Sequence, residues 1–373
     1  MRHRSILAAL LAATALALVG ARATSADPGN GHHGGPRVFV QTNELGGNAI
    51  AVYRRGDDGQ LTRVGTYSTG GLGGAALPGN ESDPLASQGS LAFEHGRLIA
   101  VNAGSDTVSA FRVHGDRLEL ESVVPSGGQF PASVDIHGDL AYVLNSGGSG
   151  IVQGFRFGPD GLSPIAGSAR SLGLANSTPP NFLMSPGQVG FTPDGKQLLV
   201  TTKTSTSSID VFQVGHDGRL SAAPVVNPSA TPVPFAFTFA GNRLVAGEAG
   251  ASSVTTYQLQ ATGTLVDPKS QSDGQAALCW IQRVGDVFFV SNTGSNNLSS
   301  FRIGPLGQPL LLSAVAATTN PGPIDLAASG RFLYVETGIN GTVDEFSVGP
   351  NGTLTPIGSV DDLPPGIEGI AAS

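Results

Sequence analysis

One pattern of strands and glycine turns recurs along most of the sequence, and this repeat limits the possible folds more than any other feature. Each copy has an apolar strand, a short polar turn, a second strand that often ends in Phe-x-Val, a Gly turn and a third strand. The seven copies begin with VFVQTNELGGNAIAVYRR (38–55), LIAVNAGSDTVSAFRV (98–113), AYVLNSGGSGIVQGFRF (141–157), LLVTTKTSTSSIDVFQV (198–214), RLVAGEAGASSVTTYQL (243–259), VFFVSNTGSNNLSSFRI (287–303) and FLYVETGINGTVDEFSV (332–348).

Glycine turns punctuate every copy. The turn after each second strand contains Gly, as in DDGQ (57–60) and PNGT (350–353), and Gly supplies the positive φ that tight hairpin turns need. Six copies are also preceded by a further short strand and Gly turn. These leading strands are SLAF, SVDI, QVGF, FAFT, CWI and IDLA. Each unit therefore has four antiparallel strands, and the sequence predicts an all-β, seven-bladed β-propeller.

The first and last strands of the chain complement each other. The first copy lacks a leading strand, whereas GIEGIAAS (366–373) is left over after the seventh. Pairing this segment with VFVQTN (38–43) would complete one blade, close the ring and remove the exposed sheet edges of an open array. The alternative is an open β-solenoid or a sandwich array.

The N-terminal segment has the pattern of a secretory signal peptide. Arg2 and Arg4 precede an apolar run, and small residues follow up to Ala26. We therefore expect a signal peptide over residues 1–26, a flexible leader over 27–36 and one propeller domain over 37–373. The mature protein would be secreted, into the extracellular space or the periplasm. An uncleaved membrane anchor is the alternative.

Charge and cysteine content limit the partners. The formal net charge is −8, and removal of three arginines with the signal peptide makes it more negative. This disfavours nucleic acid and anionic membranes as partners, and we expect a monomer.

Cys279 is the single cysteine, so no internal disulfide forms, and we expect it to be a small buried residue.

Two connections between blades are unusually long. They are residues 68–89 and 171–187, and each joins the outer strand of one unit to the inner strand of the next. In a propeller such connections cross one face near the mouth of the channel. Insertions of this kind often carry function, although lengthening a surface loop costs little free energy.

Several segments resemble the secreted branch of the lactonase-type seven-bladed propellers. They are SQGSLAF, PSGGQFPASV, AYVLN, PGQVGFTPDGK, TPVPFAF and CW, and the resemblance extends over nearly all of residues 37–373. The wider family includes 6-phosphogluconolactonases and carboxymuconate cyclases, so the resemblance implies this fold and a lactone as substrate or product. Fold alone does not establish function.

The histidines depart from what the resemblance implies. In that family, His and Arg residues near the channel approach an acid substrate. Here the four histidines beyond the leader, His95, His114, His137 and His216, lie in or beside Gly turns, where hairpins point to solvent. Of the inner strands only the one containing Arg283 offers a cation. A histidine base in the channel is therefore not expected.

The residues at inner-strand positions and strand ends are mostly neutral hydrogen-bonding groups. The predicted ligand-binding residues are Gln88, Ser90, Asn102, Ser133, Asn145, Gln188, Lys203, Trp280 and Asn292. Such an inventory suits a neutral polyol, sugar or lactone better than a phosphorylated acid.

Carboxylates supply two chemical hypotheses. Asp325 and Glu368 are the predicted catalytic residues, because a buried carboxylate can act as a general base on water. Alternatively, these acids together with Glu248 or Glu336 hold a divalent cation such as calcium, which would polarise an ester carbonyl. Each carboxylate could instead cap a turn or pair across a contact between blades.

Two functions remain open from the sequence. The first is an exported enzyme that hydrolyses or forms a small sugar-type or muconate-type lactone in the central channel. The second is a non-catalytic extracellular propeller that binds a neutral ligand, a cell-wall glycan or a protein partner.

Overall fold

Seven antiparallel sheets make up the computed structural model, which describes residues 35–78 and 82–373. The strands are β1 (Arg37–Gln41), β2 (Ala49–Arg55), β3 (Leu61–Ser68), β4 (Leu91–Glu94), β5 (Arg97–Asn102), β6 (Thr107–His114), β7 (Arg117–Pro125), β8 (Pro131–His137), β9 (Leu140–Asn145), β10 (Ile151–Gly158), β11 (Gly161–Pro164), β12 (Arg170–Ser171), β13 (Gln188–Phe191), β14 (Gln197–Thr201), β15 (Ser208–Gln213), β16 (Val225–Pro228), β17 (Pro234–Ala240), β18 (Arg243–Glu248), β19 (Ser253–Leu259), β20 (Leu265–Ser272), β21 (Leu278–Val284), β22 (Val287–Asn292), β23 (Asn297–Ile303), β24 (Pro309–Thr318), β25 (Pro323–Ser329), β26 (Phe332–Thr337), β27 (Thr342–Val348), β28 (Leu354–Val360) and β29 (Ile370–Ala372).

Each sheet is one blade, numbered here in chain order. Blade 1 has the strand order β29-β1-β2-β3, and blades 2 to 7 begin at β4, β8, β13, β17, β21 and β25; β12 adds a fifth strand to blade 3 by pairing with β10. The seven-bladed propeller with four antiparallel strands per blade is therefore confirmed. The predicted signal peptide and most of the leader lie outside the described residues.

Burial explains the sequence of each blade. The second strand of a blade packs between neighbouring blades on both faces, and β22 and β26 are accordingly buried along their whole length. Outer strands such as β7 are mostly exposed or half-buried, and in β7 only Leu118 is buried. The Gly of the outer turns adopts a positive φ, for example +92° at Gly59, as the turn sequences predict.

The ring closes between the two ends of the chain, as predicted. Strand β29 pairs antiparallel with β1, with Phe39 opposite Ala371. The N–H of Gln41 donates to the carbonyl of Gly369 at 2.8 Å. Gly369 has a φ of +117°, and a Cβ there would lie 2.3 Å from the Oγ of Ser90, so the close approach of these segments requires glycine.

The two long connections meet one another. The N–H of Leu77 donates to the carbonyl of Pro180 at 2.7 Å, and the N–H of Phe182 donates to the carbonyl of Leu77 at 2.8 Å. Backbone hydrogen bonds therefore join the two loops to one another. Among the described residues the single helical segment is a 3-10 turn, Ala249–Ala251, and no helix is long and apolar enough to cross a membrane.

Candidate functional site in the central channel

A cavity of about 290 Å³ lies where the inner strands converge, and all seven blades contribute to its wall. It opens toward the hairpins that join the first and second strands of the blades. Its polar lining consists of Gln88, Asp135, Gln188, Thr238, Gln282 and Asp325. In the described part of the chain no His, Lys or Arg belongs to this lining.

Asp325 lies on the wall of this cavity and is only 2% exposed. Its Oδ2 accepts a hydrogen bond from the N–H of Gly89 at 3.0 Å, and its Oδ1 accepts one from the N–H of Leu326 at 2.8 Å. Burial raises the pKa of this carboxyl to about 7, because desolvation outweighs the two hydrogen bonds. Asp325 therefore exchanges a proton near neutral pH, as a general base or acid must.

Asp135 is bound in the same way on the other side of the cavity. Its Oδ1 accepts from the N–H of Ile136 at 2.9 Å and its Oδ2 from the N–H of Phe191 at 2.7 Å. Burial raises its pKa to about 6. Two carboxyls with raised pKa values thus face one small cavity.

Polar side chains of the cavity wall form hydrogen bonds that link one blade to another. Asp135 and Gln188 each bind a backbone N–H of the next inner strand, and Gln88 binds both the N–H and the carbonyl of Ile281, at 3.0 and 3.1 Å. An inner strand has a free edge toward the channel, and a buried N–H there is costly if it is unpaired. Much of the predicted ligand-binding inventory therefore joins blades together.

The other end of the channel is closed by the first long loop. Residues 82–88, which we call the plug, are all buried and contact the inner strands of several blades. The hydroxyl of Ser87 donates to the carbonyl of Ala132 at 2.7 Å, and the hydroxyl of Ser133 donates to the carbonyl of Gln88 at 2.7 Å. The channel is thus blind, and the cavity opens at one face only.

Three predicted site residues hold the backbone of the plug. Glu368 accepts hydrogen bonds from the N–H groups of Leu85 and Ser87. Lys203 donates to the carbonyl of Ala86 at 2.6 Å, and Trp280 Nε1 donates to the carbonyl of Ser87 at 2.8 Å. Since the plug lacks strand partners, these side chains replace the hydrogen bonds of a ladder.

Three ionisable side chains in and next to the plug are fully buried. Asp83, Lys203 and Glu368 are each 0% exposed. Burial raises the pKa of Asp83 to about 6, with the Lys203 charge opposing the rise, and burial lowers the pKa of Lys203 to about 8. Burial and the neighbouring Asp83 raise the pKa of Glu368 well above its usual range. The charges of Asp83 and Lys203 thus favour one another, while burial opposes both charged forms.

The remaining predicted residues divide between turns and the plug region. The side-chain amides of Asn102 and Asn292 donate to Ser109 and Ser299, each on the next strand of the same blade and at 2.8 Å, and that of Asn145 donates to the carbonyl of Ser126 at 3.1 Å. Ser90 donates to the carbonyl of Glu368 at 2.8 Å. Glu368 does not line the open cavity, so its predicted catalytic role stays a prediction.

The predicted metal ligands do not gather in one place. Glu248 is bound by four hydroxyls, those of Ser229, Thr231, Thr255 and Tyr257. Glu336 accepts from the N–H of Gly369 at 2.9 Å, and burial raises its pKa well above the usual range. Within residues 35–78 and 82–373 no three His, Cys, Asp or Glu side chains are arranged to hold a metal ion. We derive no step through a metal.

A second cleft lies on the face covered by the long loops. Its volume is about 660 Å³, and it is lined by the turn after β1 (Asn43–Gly46), by Gly74, Ala75 and Pro84, and by Pro364–Gly366. Pro84 belongs to the plug, so this cleft and the open cavity lie on opposite sides of the plug.

We expect the stability of the fold to decrease as the pH rises from 4 to 7. The pKa of Asp325 is raised from 3.8 to about 7, so the folded state retains a proton that the unfolded chain releases in this range. The contribution of this one group is about 4 kcal/mol at most. Asp325→Asn should flatten the dependence of the urea-unfolding free energy on pH, whereas Asp217→Asn, at an exposed turn, should leave it unchanged above pH 5. An equal slope in wild type and Asp325→Asn would contradict the assignment.

Comparison with known families supports the fold. The family described as "Lactonase, 7-bladed beta-propeller" matches residues 166–282. The uncharacterized protein YwcC of Lactococcus lactis is 29% identical over 131 residues, which are 32% of this chain and 38% of that protein. The match thus spans well under half of that relative.

Solved structures share the architecture over most of the chain. A putative 6-phosphogluconolactonase from Bacteroides fragilis has a TM-score of 0.71 at 17% identity, covering 91% of this chain and 98% of its own. The periplasmic gluconolactonase PpgL of Pseudomonas aeruginosa has a TM-score of 0.69 at 19% identity, covering 90% and 98%. At these identities the likeness is one of fold.

Proposed function

We propose that this seven-bladed β-propeller, whose fold is lactonase-like, hydrolyses a small neutral lactone in the open end of its channel. The observation that carries the proposal is Asp325, whose carboxyl lies at the cavity wall with a pKa raised to about 7. The reverse reaction, lactone formation, would use the same groups.

The charge of the cavity supports a neutral substrate. Its polar lining contains amides, a hydroxyl and two carboxyls, with no basic side chain among the described residues. A phosphate or a carboxylate entering it would lose hydration without gaining a cationic partner. A sugar-type lactone, in contrast, offers hydroxyls that amides and carboxyls can bind.

In the proposed reaction Asp325 activates water. It takes one proton from the water molecule as the oxygen attacks the lactone carbonyl carbon, and the carbonyl π electrons move to the carbonyl oxygen. When that carbonyl re-forms, the ring C–O bond breaks and the ring oxygen takes the proton back from Asp325. One water molecule is consumed, and the product is a hydroxy acid that then ionises in solution.

Export is part of the proposal. The pattern of Arg2, Arg4 and an apolar run ending in small residues supports secretion through a cleaved signal peptide. The gluconolactonase of P. aeruginosa is described as periplasmic, which is consistent with a lactonase-type propeller outside the cytoplasm.

The test is lactone hydrolysis by purified residues 27–373 on a panel of aldonolactones and muconolactones, with spontaneous hydrolysis subtracted. Asp325→Asn should lower kcat/KM by about 10²- to 10⁴-fold, the range for loss of a general base. Wild-type kcat/KM should rise with pH and level off above about 7, since the ionised carboxyl is the base. Assays with and without calcium, manganese or zinc test the metal hypothesis.

Asp217→Asn, at an exposed outer turn, is the matched control and should retain wild-type turnover. Turnover that survives in Asp325→Asn would assign the chemistry to other groups.

The opposite cleft favours a second candidate function. It is more than twice the volume of the channel cavity, and proline, glycine and Leu45 make up much of its wall. If no lactone is turned over, a binding function at this cleft, for a neutral ligand, a glycan or a protein segment, becomes the better hypothesis. Titration of the chain with cell-wall glycan fragments, compared with Glu44→Ala, would test it.

A further inference from the structure

The side-chain amide of Gln188 is held in one orientation. Its Oε1 accepts a hydrogen bond from the backbone N–H of Phe237 at 2.6 Å. Because that partner is a donor, the atom facing it must be the amide oxygen, and the NH₂ group points the other way. The usual ambiguity between the two ends of a glutamine amide is therefore removed here by chemistry.

The Nε2 of Gln188 donates no hydrogen bond to any acceptor within residues 35–78 and 82–373. This nitrogen is not fully buried, so it retains some accessible surface. Gln188 belongs to the cavity lining and is half-buried. Its NH₂ group is therefore open to the cavity. Of the two other glutamines of the cavity wall, Gln88 uses both ends of its amide on Ile281, and Gln282 donates from its Nε2 to the carbonyl of Arg283 at 3.2 Å.

Gln188 and Asp325 come from blades 4 and 7, which are not neighbours in the ring. Both line the same cavity of about 290 Å³, which has room for one small ring. A lactone held there would meet a hydrogen-bond donor from one side and a base from another.

We propose that the Gln188 amide nitrogen donates a hydrogen bond to the lactone carbonyl oxygen and binds the oxyanion that forms when water attacks. This inference rests on the proposed function and adds a catalytic residue to it. The backbone N–H of Phe237 orients the amide in advance, so no reorganisation is needed as charge develops on the oxygen.

Gln188→Glu is the informative variant. A glutamate retains an oxygen that accepts from the N–H of Phe237 but loses the donor that faces the cavity. We expect kcat to decrease by about 10²-fold, the effect of removing one oxyanion donor, with a smaller change in KM. Gln188→Met removes the donor without adding a charge and should lower kcat to a similar extent, whereas Gln271→Glu, at an exposed position of β20 outside the cavity, should leave kcat unchanged.

A second readout does not depend on turnover. Glucono-δ-lactam has an amide carbonyl in place of the ester, and its binding is measured by calorimetry. Gln188→Glu and Gln188→Met should each weaken the Kd by about three- to tenfold, the value of one neutral hydrogen bond. Asp325→Asn should bind the lactam as wild type does.

The outcomes separate the two proposals. If wild type turns over no lactone but binds the lactam through Gln188, the proposed function fails and the carbonyl donor stands. If wild type turns over a lactone and Gln188→Glu matches it in kcat and lactam binding, the carbonyl donor is wrong. Wild-type kcat in Gln188→Met, with a loss only in Gln188→Glu, would assign the effect to charge and also overturn it.

Discussion

Deletion of residues 366–373 is expected to abolish the cooperative unfolding transition of the chain. The segment supplies the inner strand of blade 1, and its Ile367 is fully buried while Ile370 is 4% exposed. The deletion also removes Glu368, which holds the backbone of the plug. Loss of a buried Ile side chain alone costs about 2–5 kcal/mol, and whole domains are stable by about 5–15 kcal/mol.

The measurement is thermal and urea unfolding followed by circular dichroism, together with the elution volume of the purified chain. Ser373→Ala is the matched control, because it removes only the hydroxyl that accepts from the N–H of Arg37 and keeps the backbone pairing of β29 with β1, and it should melt close to wild type. A synthetic peptide of residues 364–373 added to the truncated chain should restore part of the transition. A truncated chain that melts cooperatively within a few degrees of wild type would count against closure of the ring through β29.

Lys203→Met is expected to destabilise the fold by about 3–5 kcal/mol, since it leaves the buried Asp83 carboxylate without its opposite charge. Lys203 also donates to the carbonyl of Ala86 at 2.6 Å, and its Nζ lies 5.0 Å from the ring centres of Phe182 and Phe235. Methionine preserves much of the contact with both rings, so the loss reports mainly on charge and hydrogen bonding.

A double variant separates these contributions. Lys203→Met combined with Asp83→Asn removes both charges and should recover a large part of the lost stability in urea unfolding. Lys196→Met, at an exposed lysine in a hairpin turn, should change stability by no more than about 0.5 kcal/mol. Additive losses in the double variant would show that Asp83 and Lys203 do not interact.

The fold was predictable because every blade repeats the same local chemistry. Short apolar strands, a Gly with positive φ at each outer turn and one unmatched strand at each end lead to a closed ring of seven blades. Because the same pattern of strands recurs in each copy, the assignment of strands in one copy supports the assignment in the others. The unmatched segment at 366–373 predicted the pairing of β29 with β1 correctly.

The candidate site was predictable only in part. Asp325 and Gln188 line the open cavity as inner-strand residues, in agreement with their position in the repeat, whereas Gln88 lines it from the plug. Asp83 was missed because it lies in an insertion that has no counterpart in the other copies. Loop length suggested a functional role for 68–89, but nothing in the residues SDPLASQ indicates that they enter the channel.

Glu248 illustrates that the position of a residue in the repeat does not by itself predict its chemical role. It ends a second strand, as Glu336 does, yet its carboxylate is surrounded by hydroxyls from the loop at 229–231 and from β19. Two of the four partners, Ser229 and Thr231, come from a loop whose course the repeat does not specify. The surroundings of Glu248 therefore could not be predicted from its position in the repeat.

Blade 1 combines β29 with β1, β2 and β3, so it can be completed only after the other six blades have been synthesised. Blades 2 to 7 are each built from one continuous stretch of chain, so each has all of its strands soon after synthesis. Blade 1 instead holds β1, which emerges early from the ribosome, with an unsatisfied edge until residues 370–372 are complete. Glu368, which anchors the plug, is made together with this strand. Formation of the ring and closure of its channel thus both depend on residues 366–373, and until these are made the nascent chain has an open sheet edge at β1.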